Sequence, residues 1–338
     1  MDDALIGGFG DWHGDIQWAR LAINSAKREG VSTILHVGDW GLDWPGPKRG
    51  LQDTRLSKAL VANDQVLVLS PGNHDYLENI SKLPVDDDGL ITWRSNFKIL
   101  PKGGRTVIAG LTEGGLGGAY SVDQEWRTKG RNWWSDEEPT VEQAERLIAD
   151  GPVDILITHD APMGVNITSQ FDLPDNVREK ADWTRLLLAE VVRKLQPSNL
   201  ICGHHHQRLS GDITHSGGNA TRVDVLGKEH DRDGNGVILR PGSSGIQLEP
   251  LHIRGDRPGD LILIRCPCAI PARTAYHNGT TTPFHHEPTG PKAPAVLMED
   301  GLSEALRKGT CLITGNFLAR AAAQAPRGTG RPWTQNRE

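Results

Sequence analysis

Five short polar clusters, each following directly on a run of apolar residues, set the narrowest limit on what this chain can fold into: Gly10-Asp-Trp-His-Gly14, Gly38-Asp39, Gly72-Asn-His-Asp75, Thr158-His159 and Gly203-His-His-His206. Short apolar runs recur throughout residues 4–240, each ending in Gly, Asp, Asn or His, and longer amphipathic stretches separate several of them. That alternation predicts an α/β layered fold. Strand ends in open α/β sheets are where ligand sites assemble, so five such ends can converge on one crevice.

The pattern predicts strands at residues 4–9, 33–37, 66–70, 97–100, 106–111, 155–158, 200–202, 222–226 and 237–239. Helices are expected at 16–28, 141–149 and 183–194, with a further helical segment near 56–62. The Gly- and Trp-rich stretch 113–138 reads as a loop or lid. After about Pro241 the pattern degrades into a Pro-rich region with few aromatics. The expected organisation is one domain over residues 1–245 and a largely disordered tail over 246–338, within which 261–264 and 296–317 are a candidate strand and helix.

The residue types in the clusters point to metals. A lone Asp-x-His is a common surface turn; five such clusters in order, each with a glycine nearby, are not common. Two divalent cations roughly 3.5–4 Å apart can share one hydroxide and clamp the oxygens of a phosphoryl group, which lowers the barrier to in-line attack. Carboxylate, imidazole and Asn carbonyl together suit two divalent ions of Mn, Fe or Zn. Strand-like alternation would put Asp11 and His13 on one side, and likewise His204 and His206, leaving His205 to point elsewhere. The glycines let the backbone pass close to the ions.

In this order the motifs resemble those of the calcineurin-like metallophosphoesterases: Asp-x-His, Gly-Asp, Gly-Asn-His-Asp/Glu, His, Gly-His-x-His, matched in full over about residues 4–240. The resemblance implies a four-layer α-β-β-α sandwich of two mixed β-sheets flanked by helices. It further implies that Asp11, His13 and His206 hold one metal, that Asn73, His159 and His204 hold the other, and that Asp39 bridges them. His74 would contact the phosphate and protonate the leaving oxygen, with Asp75 a candidate to orient it. Protein phosphatases of this superfamily carry Gly-Asp-x-Val-Asp-Arg-Gly at the second motif, where this chain has Gly38-Asp-Trp-Gly-Leu-Asp-Trp44. The phosphate-gripping arginine is absent, which disfavours protein phosphatase activity and leaves Arg49 and Arg55 as candidate helpers. The chain looks closer to small bacterial phosphoesterases.

Charge and composition trim the alternatives. Residues 1–250 carry 26 Lys+Arg against 36 Asp+Glu, and residues 251–338 carry 11 against 7. An acidic catalytic part disfavours nucleic acid as a partner, so a nuclease of the same superfamily is the nearer alternative and a non-catalytic scaffold the more distant one. The expected substrate is a small phosphodiester or phosphomonoester, and no substrate-binding residue is read from the sequence. No segment approaches the roughly 18 apolar residues of a membrane span, and the expected location is cytoplasmic, with no membrane partner. The four cysteines, Cys202, Cys266, Cys268 and Cys311, lack zinc-ligand spacing and read as reduced thiols. Of the ten tryptophans, Trp40, Trp44, Trp133 and Trp134 fall in loops near the clusters, where they either rim the cleft or simply pack. His36 reads as structural; His215, His230, His277, His285 and His286 receive no role. The oligomeric state stays open.

Overall fold

The apolar runs form strands that are buried on both faces, as all-parallel neighbours require. The computed structural model describes residues 4–168, 172–242 and 245–255, and the backbone of four short strands beyond them. β1 (Ile6–Phe9), β2 (Thr33–His36) and β3 (Val66–Leu69) lie parallel to one another, as do β8 (Ile155–Thr158) and β9 (Asn199–Cys202). Each trio or pair sits in a mixed sheet. The first is seven-stranded and is completed by β4 (Ile91–Arg94), β5 (Phe97–Ile99), β12 (Gly236–Gly242) and β13 (Gly245–Leu251), in the order β13-β12-β1-β2-β3-β5-β4. The second is six-stranded, ordered β10-β11-β9-β8-β7-β6, with β6 (Gly104–Ile108), β7 (Leu111–Leu116), β10 (Leu209–Thr214) and β11 (Ala220–Val225).

Three apolar clusters define the layers. Ile6, Leu35, Val37 and Val68 from the first sheet meet Ile155, Ile157 and Ile201 from the second, which places the sheets face to face. The outer face of the first sheet packs on α1 (Ile16–Arg28) and α2 (Leu51–Asn63), through Trp18, Ala22, Leu56 and Leu60. The outer face of the second packs on α3 (Val141–Ala149) and α4 (Asp175–Leu195), through Leu147, Leu188 and Val191. This is the expected α-β-β-α sandwich of two mixed sheets flanked by helices. Helix entry follows ordinary capping: the Asp15 carboxylate accepts from Gln17 N and Trp18 N at α1, and Thr140 and Gln143 form a capping box at α3.

The structure departs from the sequence reading at several places. The strand expected at 106–111 is broken by a turn with Ala109 and Gly110 at positive φ, so β6 and β7 form a hairpin. Glu113–Leu116, read as loop, is strand; a Cβ on Gly115 would lie 2.5 Å from Leu100 Cδ2, so the glycine serves close packing instead of a turn. α4 begins eight residues before the expected 183, and β4, β10 and β13 were not anticipated. Because β13 pairs with β12, the first compact unit runs through Gly255, past the expected boundary at 245.

The second unit spans Asp256–Glu338. In it β14 (Leu261–Arg265) pairs antiparallel with β17 (Thr310–Thr314), and β15 (Arg273–His277) with β16 (Thr280–Phe284). The candidate strand at 261–264 lies in β14, whereas the part of 296–317 that is described is a strand and not a helix. Most of the expected disordered tail lies outside the described residues.

Candidate active site

The five clusters leave their strands at the carboxyl ends, and backbone hydrogen bonds fasten neighbouring ends together. Trp12 N and His13 N donate to Asp39 O at 3.2 and 2.8 Å, and Gly203 N donates to His159 O at 2.9 Å. Packing is tight enough that a Cβ on Gly72 would sit 2.2 Å from Asp39 Oδ1, and one on Gly203 2.2 Å from Asp11 Oδ1. Only glycine fits at such approaches.

All seven expected ligands converge. Asp11, His13 and His206 offer ligand atoms within 4.8 Å of one another, and so do Asp11, Asp39 and His159. The His159 and His204 rings lie 5.1 Å apart, and those of His13 and His206 5.0 Å. Strand alternation is not what brings them there: His13 (φ 41°), Asp39 (φ 57°), His204 (φ 64°) and His206 (φ 54°) all occupy the left-handed region, in turns beyond the strands. Such conformations cost of order 1–3 kcal/mol each and persist where the surroundings over-determine them. His205, as expected, turns away, with Nε2 2.8 Å from Asp160 Oδ1.

The donor chemistry fits a bound cation. His159 Nδ1 donates to Val37 O at 2.8 Å, which leaves the Nε2 lone pair of the neutral ring facing Asn73 Oδ1 at 3.0 Å and Asp39 Oδ1 at 3.3 Å. Asn73 presents its oxygen because its Nδ2 donates to Ser121 Oγ at 3.0 Å. Three lone pairs thus point together, an arrangement that needs positive charge between them. His13 repeats the logic, its Nδ1 2.7 Å from Glu229 Oε2 and its Nε2 3.7 Å from Asp39 Oδ2. Asp11 Oδ2 is buried with no hydrogen-bond donor, 3.2 Å from His206 Nε2.

Where no cation lies between them, a proton supplies that charge on His13 and His159. Burial opposes protonation of His13 and His159, yet hydrogen bonds to Asp39 and Glu229 raise the first to about 11, and the charge of and hydrogen bond to Asp39 raise the second to about 9. Burial also opposes ionisation of Asp39, but the neighbouring His159 and His74 hold its carboxyl well below the usual range. Burial drives His204 down to about 3, which leaves a neutral imidazole suited to ligation.

Several contributors carry no sequence signal of their own. Glu229 fixes His13 so that Nε2 faces inward, and Val37 O does the same for His159, the carboxylate- or carbonyl-imidazole pairing that orients metal-binding histidines. Ser121 Oγ in turn donates to Glu137 Oε2, so Asn73, Ser121 and Glu137 form a chain. Asn235 is fully buried and accepts from both Trp12 Nε1 (2.9 Å) and Trp18 Nε1 (3.0 Å), tying the start of β12 to the first cluster.

Asp75 does not orient His74. Its Oδ2 accepts from Asp39 N (2.9 Å) and Gly72 N (2.8 Å), and its Oδ1 from Gly41 N and Leu42 N (both 2.8 Å), so the carboxylate is used up in stapling the second and third clusters. Arg49 is likewise committed, bidentate to Asp43 at 3.0 and 2.6 Å and stacked on Tyr76; Arg55 bonds Gln52 one turn back on α2. The cation that does touch His74 is Arg127, whose Nη2 lies 2.9 Å from His74 Nε2. Burial, offset by Asp39 and reinforced by Arg127 and His13, lowers His74 below its ordinary value.

The tryptophans divide. Trp40 is fully buried, donating to Asp53 Oδ1 at 2.8 Å. Trp44 stacks on His74 (centroids 6.1 Å, 22°) and meets Trp134 edge-on at 5.1 Å, while Trp133 takes Lys129 over its ring. His36 is buried, accepts from Gly38 N, and is pushed down to about 3 by burial, in keeping with a structural role. Cys202 is a free, buried thiol.

A family model described as calcineurin-like phosphoesterase matches residues 4–208. The chain belongs to the calcineurin-like phosphoesterases. This is a family of metal-dependent phosphoester hydrolases, and membership gives the chain that general activity. No curated protein matches the sequence. Among solved structures, a Thermus thermophilus protein, TT1561, is similar at 15% identity, with a TM-score of 0.49 over 74% of this chain and 99% of its own. A dimetal phosphatase from Danio rerio is similar at 14% identity, with a TM-score of 0.43 over 75% and 99%. An archaeal phosphodiesterase gives 14% identity and a TM-score of 0.33 over 73% and 99%.

Proposed function

We propose that this calcineurin-like phosphoesterase is a dinuclear enzyme cleaving small phosphodiesters or phosphomonoesters. The observation that carries the reading is the orientation of Asp39, whose Oδ2 faces His13 and whose Oδ1 faces His159. A carboxylate with its two oxygens turned to two separate imidazole clusters has the arrangement a bridging ligand needs. Asp11, His13 and His206 would hold one ion, and Asn73, His159 and His204 the other, with Mn, Fe or Zn the ions suited to these donors. When bound, such ions supply Lewis acidity toward phosphoryl oxygens and a water of lowered pKa.

The protein's own groups do the rest. Glu229 and Val37 O hold the imidazoles in register, and Ser121 holds the Asn73 carbonyl toward His159. His74 stands beside the Asp39 cluster as the group that meets the leaving oxygen. In the resting geometry its Nε2 accepts from Arg127 and so carries no proton; to act as an acid this atom must take a proton from solvent after the guanidinium has shifted to the substrate. The complete ligand set argues against a scaffold that has shed its chemistry. A cytoplasmic location belongs to the same proposal; no helix among the described residues is long and apolar enough to cross a membrane.

The test is hydrolysis of aryl phosphate monoesters and diesters by metal-stripped protein reloaded with Mn, Fe, Zn or Mg. Turnover that appears only on reloading supports the reading. Equal turnover with and without metal, or none with any ion, overturns it.

A further inference from the structure

Arg127 combines burial, charge and contact with the reacting region in a way the rest of the site leaves unexplained. It stands in the segment between β7 and α3 and is 8% exposed. Its Nη2 reaches His74 Nε2 at 2.9 Å and Asp123 Oδ1 at 2.7 Å, and its Nη1 lies 3.9 Å from Glu137 Oε1. The second motif offers no arginine, and Arg49, its nearest candidate, is held bidentate by Asp43.

We infer that Arg127 is the phosphate-gripping residue of this site, supplied by the loop that follows β7 and not by the second motif; the inference rests on the phosphoesterase reading above. A guanidinium that donates to a neutral imidazole has only its own charge to strengthen the bond, whereas on a phosphoryl oxygen both partners are ionised and two parallel bonds can form. The exchange is therefore favourable when substrate arrives. It also frees the His74 Nε2 lone pair to take a proton from water, which it can then give to the leaving oxygen. The planar fork of arginine matches two phosphoryl oxygens at once, which lysine cannot do. Asp123 and Glu137 keep the guanidinium in place while the pocket is without anion, and the Glu137 link to Ser121 and Asn73 sets it in register with the metal ligands.

The experiment compares the full-length, metal-loaded wild type with Arg127→Gln and Arg127→Lys. Three quantities are read: the affinity for inorganic phosphate by calorimetry, KM and kcat on an aryl phosphate, and metal content. Loss of a hydrogen bond to a charged group predicts phosphate binding and KM about 10- to 100-fold weaker in Arg127→Gln, at unchanged metal content, with Arg127→Lys recovering only part. Phosphate affinity within twofold of wild type in Arg127→Gln overturns the assignment. So does metal loss or a large fall in melting temperature in Arg127→Lys, which keeps the charge that Asp123 and Glu137 pair with and would mark Arg127 as a structural anchor. Should the wild type hydrolyse no ester and yet bind phosphate in an Arg127-dependent way, the proposed function fails while the phosphate grip stands.

Discussion

Asn73 donates its side-chain Nδ2 to Ser121 Oγ at 3.0 Å, and this one bond decides which end of the amide faces His159. Without it the amide is free to flip and present donors where a ligand oxygen is needed. Ser121→Ala is therefore expected to weaken binding at the Asn73, His159 and His204 position about 10- to 100-fold, the usual effect of removing a group that orients a metal ligand. Titration of metal-stripped protein checks it, and an unchanged affinity would remove Ser121 from the account.

Asp75 separates a structural from a catalytic role. An Asn at this position keeps one acceptor oxygen but turns an amide against two backbone N–H groups. With roughly 1.5–3 kcal/mol at stake for each bond to a charged group, Asp75→Asn should lower stability by roughly 3 kcal/mol, or roughly 6–12 °C in melting temperature for a domain of this size. Wild-type melting combined with a selective loss of turnover would restore the orienting role that its place beside His74 suggests.

How far the sequence disclosed these roles depends on what each residue does. Asp11, His13, Asp39, Asn73, His159, His204 and His206 were legible because each stands at the end of an apolar run with a glycine nearby. Glu229, Ser121, Glu137, Asn235 and Arg127 were not, since they act across the fold from loops or a strand start that no local pattern marks; the bond from His13 to Glu229 spans 216 residues. Asp75 was misread because adjacency to His74 in the chain says nothing about which backbone groups its carboxylate meets. Most of the architecture followed from the apolar runs. β10 and β13 escaped notice because much of each is exposed, and exposed edge strands lack a continuous apolar signature.

Glu113 gives a pH prediction away from the site. It lies buried in β7 with neither oxygen in a well-formed hydrogen bond, and burial pushes it from 4.5 up to about 8. The folded state then binds this proton more tightly than the unfolded chain, so stability falls as pH rises from about 4.5 to about 8 and levels off above. Glu113→Gln should flatten that part of the profile and melt higher than wild type at about pH 9, with the difference shrinking toward about pH 5. A difference independent of pH would contradict the assignment.

The unit ending at Gly255 contains both sheets and every proposed ligand. A chain truncated after Gly255 should fold cooperatively, bind metal and keep turnover within a few-fold of the full chain. Aggregation, or loss of metal on truncation, would show that the unit Asp256–Glu338 is needed for the first to stand.

If Asp39 serves two metals at once, metal content per chain must show it. Two equivalents are expected in the reloaded wild type and, in Asp39→Asn, loss from both positions together with a fall in turnover of several orders of magnitude, because one carboxylate would support both clusters. An Asp39→Asn protein that still holds two equivalents and turns over at the wild-type rate would contradict it.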